Sequence, residues 1–106
     1  MMNSQLKKGV LEMMVLHQLA QRDCYGYELV QEISKHIQMS EGTVYPLLRR
    51  LKKEGLLTTY MQASESGPAR KYYELTEAGA QALQAQRLEW ETFAAEVTAF
   101  LGGELR

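Results

Sequence analysis

Arg49 and Lys53 stand four residues apart, Ser40, Gly42, Thr43 and Tyr45 precede them, and Arg70 and Lys71 follow further along the chain. These residue types at these spacings suit one kind of chemistry, the gripping of a polyanion. Hydroxyl and amide donors reach phosphate oxygens, ammonium groups neutralise them, and the planar fork of an arginine can bond N7 and O6 of a guanine together. Arg49 is therefore the candidate for reading a base. Phosphate contact is the expected role of Arg50, Lys52 and Lys53, while Tyr45 either touches DNA or packs against a neighbouring hairpin. Lys7 and Lys8 are open to flanking phosphates or to water alone.

Covalent chemistry finds no comparable set. His17 and His36 lie far apart in sequence and neither begins a metal-ligand spacing, and no nucleophile, base and orienting group can be assembled. Cys24 is the only cysteine, so it has no intramolecular disulfide partner. Gly67 stands alone and Gly102-Gly103 is close to the C-terminal end, so there is no phosphate-cradling loop. The expectation is a protein that is not an enzyme and holds no cofactor or metal.

The cations need an element to aim them. From Ser40 to Gly55, Val44, Leu47, Leu48 and Leu51 follow the i, i+3, i+4, i+7 spacing of one buried helical stripe, which leaves Gly42, Pro46, Arg49 and Lys53 on the opposite face. Ser40 suits the N-cap, where its hydroxyl can accept from an orphan amide, and Gly55 suits the left-handed residue that ends a helix. Glu41 is placed for the helix dipole rather than for phosphate. Pro46 removes an amide and crowds the carbonyl of Gly42, which a tight or bent first turn relieves. Such a helix can lie in a major groove, or it can be an ordinary amphipathic surface helix.

Its context separates the two. A first helix from about Ser4 to Gln21 carries Leu6, Val10, Leu11, Met14, Val15 and Leu19, with Gly9 as a point for close helix approach. Arg22-Asp23-Cys24 reads as a polar connection. Tyr27, Leu29, Val30, Ile33 and Ile37 make a second, brief helix, so the order is that of a helix-turn-helix unit. After Gly55, the runs 56–61 and 70–75 are rich in aromatic, Thr and apolar residues and read as two antiparallel strands, with the turn formers Ser64-Glu65-Ser66-Gly67-Pro68 between them. A hairpin in this place is a wing, and it carries Arg70 and Lys71 toward the same ligand.

Thr76 caps a final helix with Glu77 in its first turn. From Glu77 to Leu101 this helix runs about 37 Å at 1.5 Å per residue, longer than a small helical core needs for its own cover. Leu83, Gln86, Trp90, Phe93, Val97 and Phe100 recur on it at near-heptad spacing, so the stripe calls for a partner, most economically the same helix of a second copy. Folding back on its own domain is the alternative.

The whole chain has 106 residues, 45% hydrophobic and 24% charged, enough for one core. No run of about 18 uncharged apolar residues offers a membrane span, no signal-peptide pattern opens the chain, and the cysteine usage fits a reducing compartment, so a cytoplasmic location is expected. The formal net charge is only −1, unlike a dedicated nucleic-acid binder. The distribution matters more: between Ser40 and Leu75 six cations face four carboxylates, whereas the stretch from Glu77 onward is acidic.

Taken in order, Gly9-Val10-Leu11, Tyr25-Gly26-Tyr27-Glu28-Leu29, the run from Ser40 to Leu51 with Glu54-Gly55-Leu56, Arg70-Lys71-Tyr72-Tyr73 and Leu75-Thr76-Glu77-Ala78-Gly79 resemble the PadR-like transcriptional regulators, in particular the short subfamily with one C-terminal helix. The resemblance covers nearly the whole chain. It implies a mainly α fold with a small β-hairpin, a winged helix-turn-helix in residues 1–76 and a dimerisation helix in residues 77–106. It also implies a homodimeric repressor bound to double-stranded DNA through the third helix and the wing. In drug-sensing members a tryptophan of the last helix flanks a hydrophobic pocket between subunits, and Trp90 falls at the matching position. Leu83, Trp90, Phe93, Val97 and Phe100 are thus expected to form the dimer interface, with room for a small aromatic or hydrophobic effector or with none. A winged-helix dimer that binds a ligand or a protein without sequence-specific DNA recognition is the other reading.

Overall fold

The structure is a computed structural model that describes the backbone of residues 4–102 and the side chains of residues 9–102. The roles read for Leu6, Lys7 and Lys8 and for Gly103, Glu104 and Arg106 lie outside the described side chains. In chain order the elements are α1 (Ser4–Gln21), β1 (Cys24–Tyr25), α2 (Gly26–Ser34), α3 (Glu41–Lys53), β2 (Leu57–Ser64), β3 (Gly67–Leu75) and α4 (Glu77–Phe100).

The apolar stripes read from the sequence are what the core is made of. Leu11, Val15, Leu16 and Leu19 of α1 meet Leu29 and Ile33 of α2, Val44, Leu47, Leu48 and Leu51 of α3, Leu57 and Tyr73 of the hairpin, and Leu83 of α4. Each helix contributes one face, so none is stable without the others. Gly9 departs from expectation: a Cβ there would meet nothing within 4 Å, so among the described residues no close helix approach explains it.

The sheet is antiparallel and ordered β1-β3-β2, one strand more than the hairpin foreseen. Cys24 and Tyr25, read as connection and helix start, pair with Tyr73 and Tyr72. Two residues carry no periodicity to read, and it is the neighbouring strand that makes them a strand. The hairpin is also longer than the turn formers suggested, because Ser64 and Gly67 pair and only Glu65 and Ser66 turn. A register irregularity between Gln62 and Ser64 lies across from Pro68, where a missing amide costs the ladder least.

Two residues bind α3 to the final helix. Gly55 takes φ +80°, the left-handed turn that stops α3. Thr76 Oγ1 accepts from the Gly79 amide at 3.0 Å and donates to the Gly55 carbonyl at 2.7 Å, so one hydroxyl caps α4 and ties it to the end of α3. Gly79 itself presses against Leu56, where a Cβ would sit 2.2 Å from the backbone oxygen. Beyond Gln86 every described residue of α4 except Ala94 is exposed, and the molecule measures 53 × 29 × 21 Å.

Candidate nucleic-acid interface

The exposed face of α3 carries Gly42, Thr43, Pro46, Arg49 and Lys53, all open to solvent because Val44, Leu47, Leu48 and Leu51 hold the other face in the core. Pro46 is accommodated inside a continuous helix. At Gly42 a Cβ would approach only Ser40 Oγ, at 3.7 Å, so the outer side of this turn is clear for a ligand. Ser40 is the N-cap residue, but not by the bond anticipated. Its hydroxyl meets the Thr43 hydroxyl at 3.3 Å, and the Thr43 amide donates to the Ser40 carbonyl at 3.1 Å. Both hydroxyls stay at the exposed end of the helix.

Tyr45 is half-buried and lies across the start of α2. A Cβ on Gly26 would fall 2.4 Å from its ring and 2.5 Å from its hydroxyl oxygen, so only glycine lets the phenol rest there. Burial raises the Tyr45 hydroxyl above its ordinary pKa, with Glu41 adding to the shift. The alternatives left open for this residue were DNA contact and packing on the wing. The geometry adds a third surface, α2, which occupies much of the ring.

Between α3 and the wing runs a cleft of about 400 Å³ lined by Tyr25, Gly26, Tyr45, Arg49, Arg70, Lys71 and Tyr73. It brings together three of the cations read from the sequence, one from the helix and two from β3. The Tyr73 hydroxyl is raised chiefly by burial, then by Tyr45, while Arg49 acts the other way.

The pattern of ion pairing separates the cations of this surface from the rest. Arg22 pairs with Glu28, Lys35 with Glu32, Arg50 with Glu12 and Glu54, and Arg87 with Glu91. Among the described residues Arg49, Lys52, Lys53, Arg70 and Lys71 have no carboxylate within ion-pair distance. Every described cation without a partner lies on α3 or the wing. Arg50, read as a phosphate contact, reaches across to α1 while remaining exposed, and there Glu12 first, then Glu54, raises its pKa further. The second oxygen of Glu12 accepts from Gln86 of α4, so a single carboxylate joins α1, α3 and α4. Sequence spacing gave no sign of this link, since its members are 38 and 74 residues from one another.

The residues expected at a dimer interface divide. Leu83 is 7% exposed and belongs to the core of its own chain, because the first turns of α4 are held down at Gly79. Trp90, Phe93, Val97 and Phe100 are exposed, Phe100 by 90%. Trp90 also flanks a recess of about 450 Å³ between α1, α2 and α4, where Met13, Met14 and Ile33 supply apolar walls and His17 and His36, distant in sequence, reach the same rim. Among the described residues no group of three His, Cys, Asp or Glu side chains is placed to hold a metal ion. No described helix is long and apolar enough to cross a membrane.

Comparison with known proteins agrees with this architecture. Residues 15–85 match the model of the transcriptional regulator PadR-like family. A PadR-like transcriptional regulator from Bacillus cereus is 42% identical, with a TM-score of 0.86 over 95% of this chain and 100% of that one. A PadR family regulator from Eggerthella lenta is 36% identical, with a TM-score of 0.83 over 94% of this chain and 88% of its own. A transcriptional regulator of Mycobacterium tuberculosis is 37% identical over 94% of this chain and 91% of its length. With four helices, a three-stranded antiparallel sheet and a winged-helix arrangement shared with these relatives, the chain belongs to the PadR-like family of transcriptional regulators, DNA-binding proteins rather than enzymes.

Proposed function

We propose that the protein is a cytoplasmic homodimeric repressor. Residues 1–76 bind double-stranded DNA, α4 within residues 77–106 joins two copies, and a small aromatic or hydrophobic effector alters operator binding from the Trp90 region. The observation that carries the DNA-facing assignment is the segregation of paired from unpaired cations. Four described cations are neutralised internally, whereas Arg49, Lys52, Lys53, Arg70 and Lys71 are left free on one surface despite a net charge of −1. Free cations on one face attract phosphates and release counterions, so binding weakens with salt.

In this reading Thr43 and Arg49 face base edges, with Ser40 and Gly42 at the helix start letting the backbone approach. Lys53, Arg70 and Lys71 hold phosphates on either side. Tyr45 contributes by fixing α3 against Gly26 and offers at most its ring edge to DNA. The dimer is supported by the exposure of Leu88, Trp90, Phe93, Val97, Phe100 and Leu101 along a single helix, more apolar surface than a solvated helix ordinarily shows. A two-fold axis across α4 then sets two α3 helices about one DNA turn apart, roughly 34–36 Å.

Gel shifts against a duplex enriched from a randomised library, with a scrambled duplex as control, test the DNA-facing surface. Arg49→Ala is expected to lower affinity about tenfold or more and to relax preference at one base step. Unchanged affinity, preference and salt slope would sink the assignment of α3.

A further inference from the structure

Arg70 stands on the exposed face of β3 and its guanidinium carbon lies 4.6 Å from the centroid of the Tyr25 ring. Arg70 precedes Tyr72 by two residues, so both side chains rise from one face of the sheet, and Tyr25 is the cross-strand partner of Tyr72. Tyr25 is therefore the diagonal neighbour of Arg70. The stack continues across the sheet. Tyr25 and Tyr72 meet edge to face at 5.5 Å, Tyr72 and Tyr60 stack at 5.6 Å with planes 13° apart, and the Tyr60 hydroxyl donates to Asp23 Oδ2 at 2.7 Å.

Asp23 lies two residues before Tyr25, so this row of side chains closes on the segment where it began. The Tyr25 backbone is held separately, by its pairing with β3 and by a 3.1 Å bond from its amide to Glu28 Oε1. The ring is thus a fixed platform. A surface arginine would otherwise lose several rotatable bonds on meeting DNA, and this one has lost part of that freedom already. Stacking uses the face of the guanidinium and leaves the N–H donors on its edge unspent. No described carboxylate pairs with them, and Arg70 and Tyr25 both line the cleft beside Arg49.

We propose that Tyr25 is a positioning residue for DNA recognition, holding Arg70 stacked so that its edge donors meet the DNA backbone or minor groove beside α3. The inference rests on the DNA-facing surface proposed above. It assigns to the opening of α2, an element with no DNA contact in that proposal, control over a contact made by the wing.

The test measures the affinity of the full-length protein for the duplex that the wild type enriches from a library randomised over about 30 base pairs. Arg70→Ala is expected to weaken binding about tenfold. Tyr25→Leu should weaken it about fivefold and Tyr25→Phe less than about twofold, since the ring rather than its hydroxyl supplies the attraction. In an Arg70→Ala background, Tyr25→Leu should cost nothing more. Because leucine can disturb the sheet, 3,4,5-trifluorophenylalanine at position 25 serves as a second probe, keeping shape and apolar bulk while withdrawing charge from the ring face. It should reproduce most of the fivefold loss, again only when Arg70 is present. A loss that persists without Arg70 would show a purely structural role and overturn the inference, as would unchanged or tighter binding with the fluorinated ring. If Arg70→Ala binds like wild type, the inference falls while operator recognition stands. If the wild type enriches no duplex, it is the functional reading that fails, and the positioning role with it.

Discussion

Replacing Glu12 by glutamine tests the carboxylate that joins three helices. Glu12 takes a charged hydrogen bond from Arg50 of α3 and an amide hydrogen bond from Gln86 of α4, with its side chain 19% exposed and that of Arg50 42% exposed. A sheltered hydrogen bond to a charged group contributes about 1.5–3 kcal/mol, whereas an exposed ion pair contributes about 0.2–1 kcal/mol. With one partner sheltered and the other half open, Glu12→Gln should cost about 1–1.5 kcal/mol. For a chain of this size that is roughly 4–8 °C in Tm at fixed protein concentration. Urea unfolding of Glu12→Gln, Arg50→Met and the double variant isolates the pair, and a coupling of about 1 kcal/mol is expected. Coupling below about 0.3 kcal/mol would refute the reasoning, since distant independent sites already add to within that margin. Gln86→Leu supplies a contrast. It removes the amide donor to Glu12 but also a buried Oε1 that has no partner among the described residues, so its net effect should be close to zero or stabilising.

Gly79→Ala should destabilise by about 1–3 kcal/mol in spite of a helix-propensity gain near 1 kcal/mol, because its Cβ would strike the Leu56 backbone, which has no rotamer to change. Gly9→Ala, with open space around it in the single chain, should raise the stability of the monomer in urea by up to about 1 kcal/mol, and a loss of dimer instead would place the partner over α1. Tyr60 is pushed up to about 12, first by its hydrogen bond to Asp23. The folded pKa is raised, so the stability this bond contributes is complete below the unfolded value near 10 and is lost as pH climbs from there to about 12. Absorbance titration near 295 nm should show late phenolates, since Tyr45 and Tyr73 are raised as well, and Asp23→Asn should shift only the Tyr60 step earlier, whereas an unmoved titration would reject the bond. If the proposed pairing through α4 holds, dilution followed by Trp90 fluorescence should give a concentration-dependent red shift. A spectrum constant from about 100 μM to 10 nM would count against pairing through Trp90 in this range, the affinities in question spanning roughly 5–11 kcal/mol.

Much of this protein follows from local pattern. Periodicity placed the stripes Leu11-Val15-Leu19 and Val44-Leu47-Leu48-Leu51 on buried faces, because a 3.6-residue repeat needs no knowledge of what lies opposite. Thr76 and Gly55 marked helix limits for an equally local reason, since caps are satisfied within a few residues. The placing of Arg49 and Lys53 outward came with it, as whatever is not on the buried stripe must face away from it.

What local pattern left open was decided by contacts across the fold. Ser40 and Glu41 to Lys53 give the same helix whether or not Tyr45 lies on Gly26, and only the approach of α2 settles where that phenol goes. Arg50 and Arg49 are neighbours of one residue type, yet one is paired with Glu12 and the other has no carboxylate partner among the described residues, a difference of about 100° around the helix axis turned into a difference of pairing. Leu83 and Trp90 read as members of one stripe, but the closeness of Gly79 to Leu56 holds the first in the core and lets the second project. β1 exists because β3 passes beside Cys24 and Tyr25. A residue's type and local spacing state what it is able to bind. Which partner reaches it first, through folding that brings distant segments within a few ångströms, determines whether that capacity is consumed inside the chain or remains for DNA.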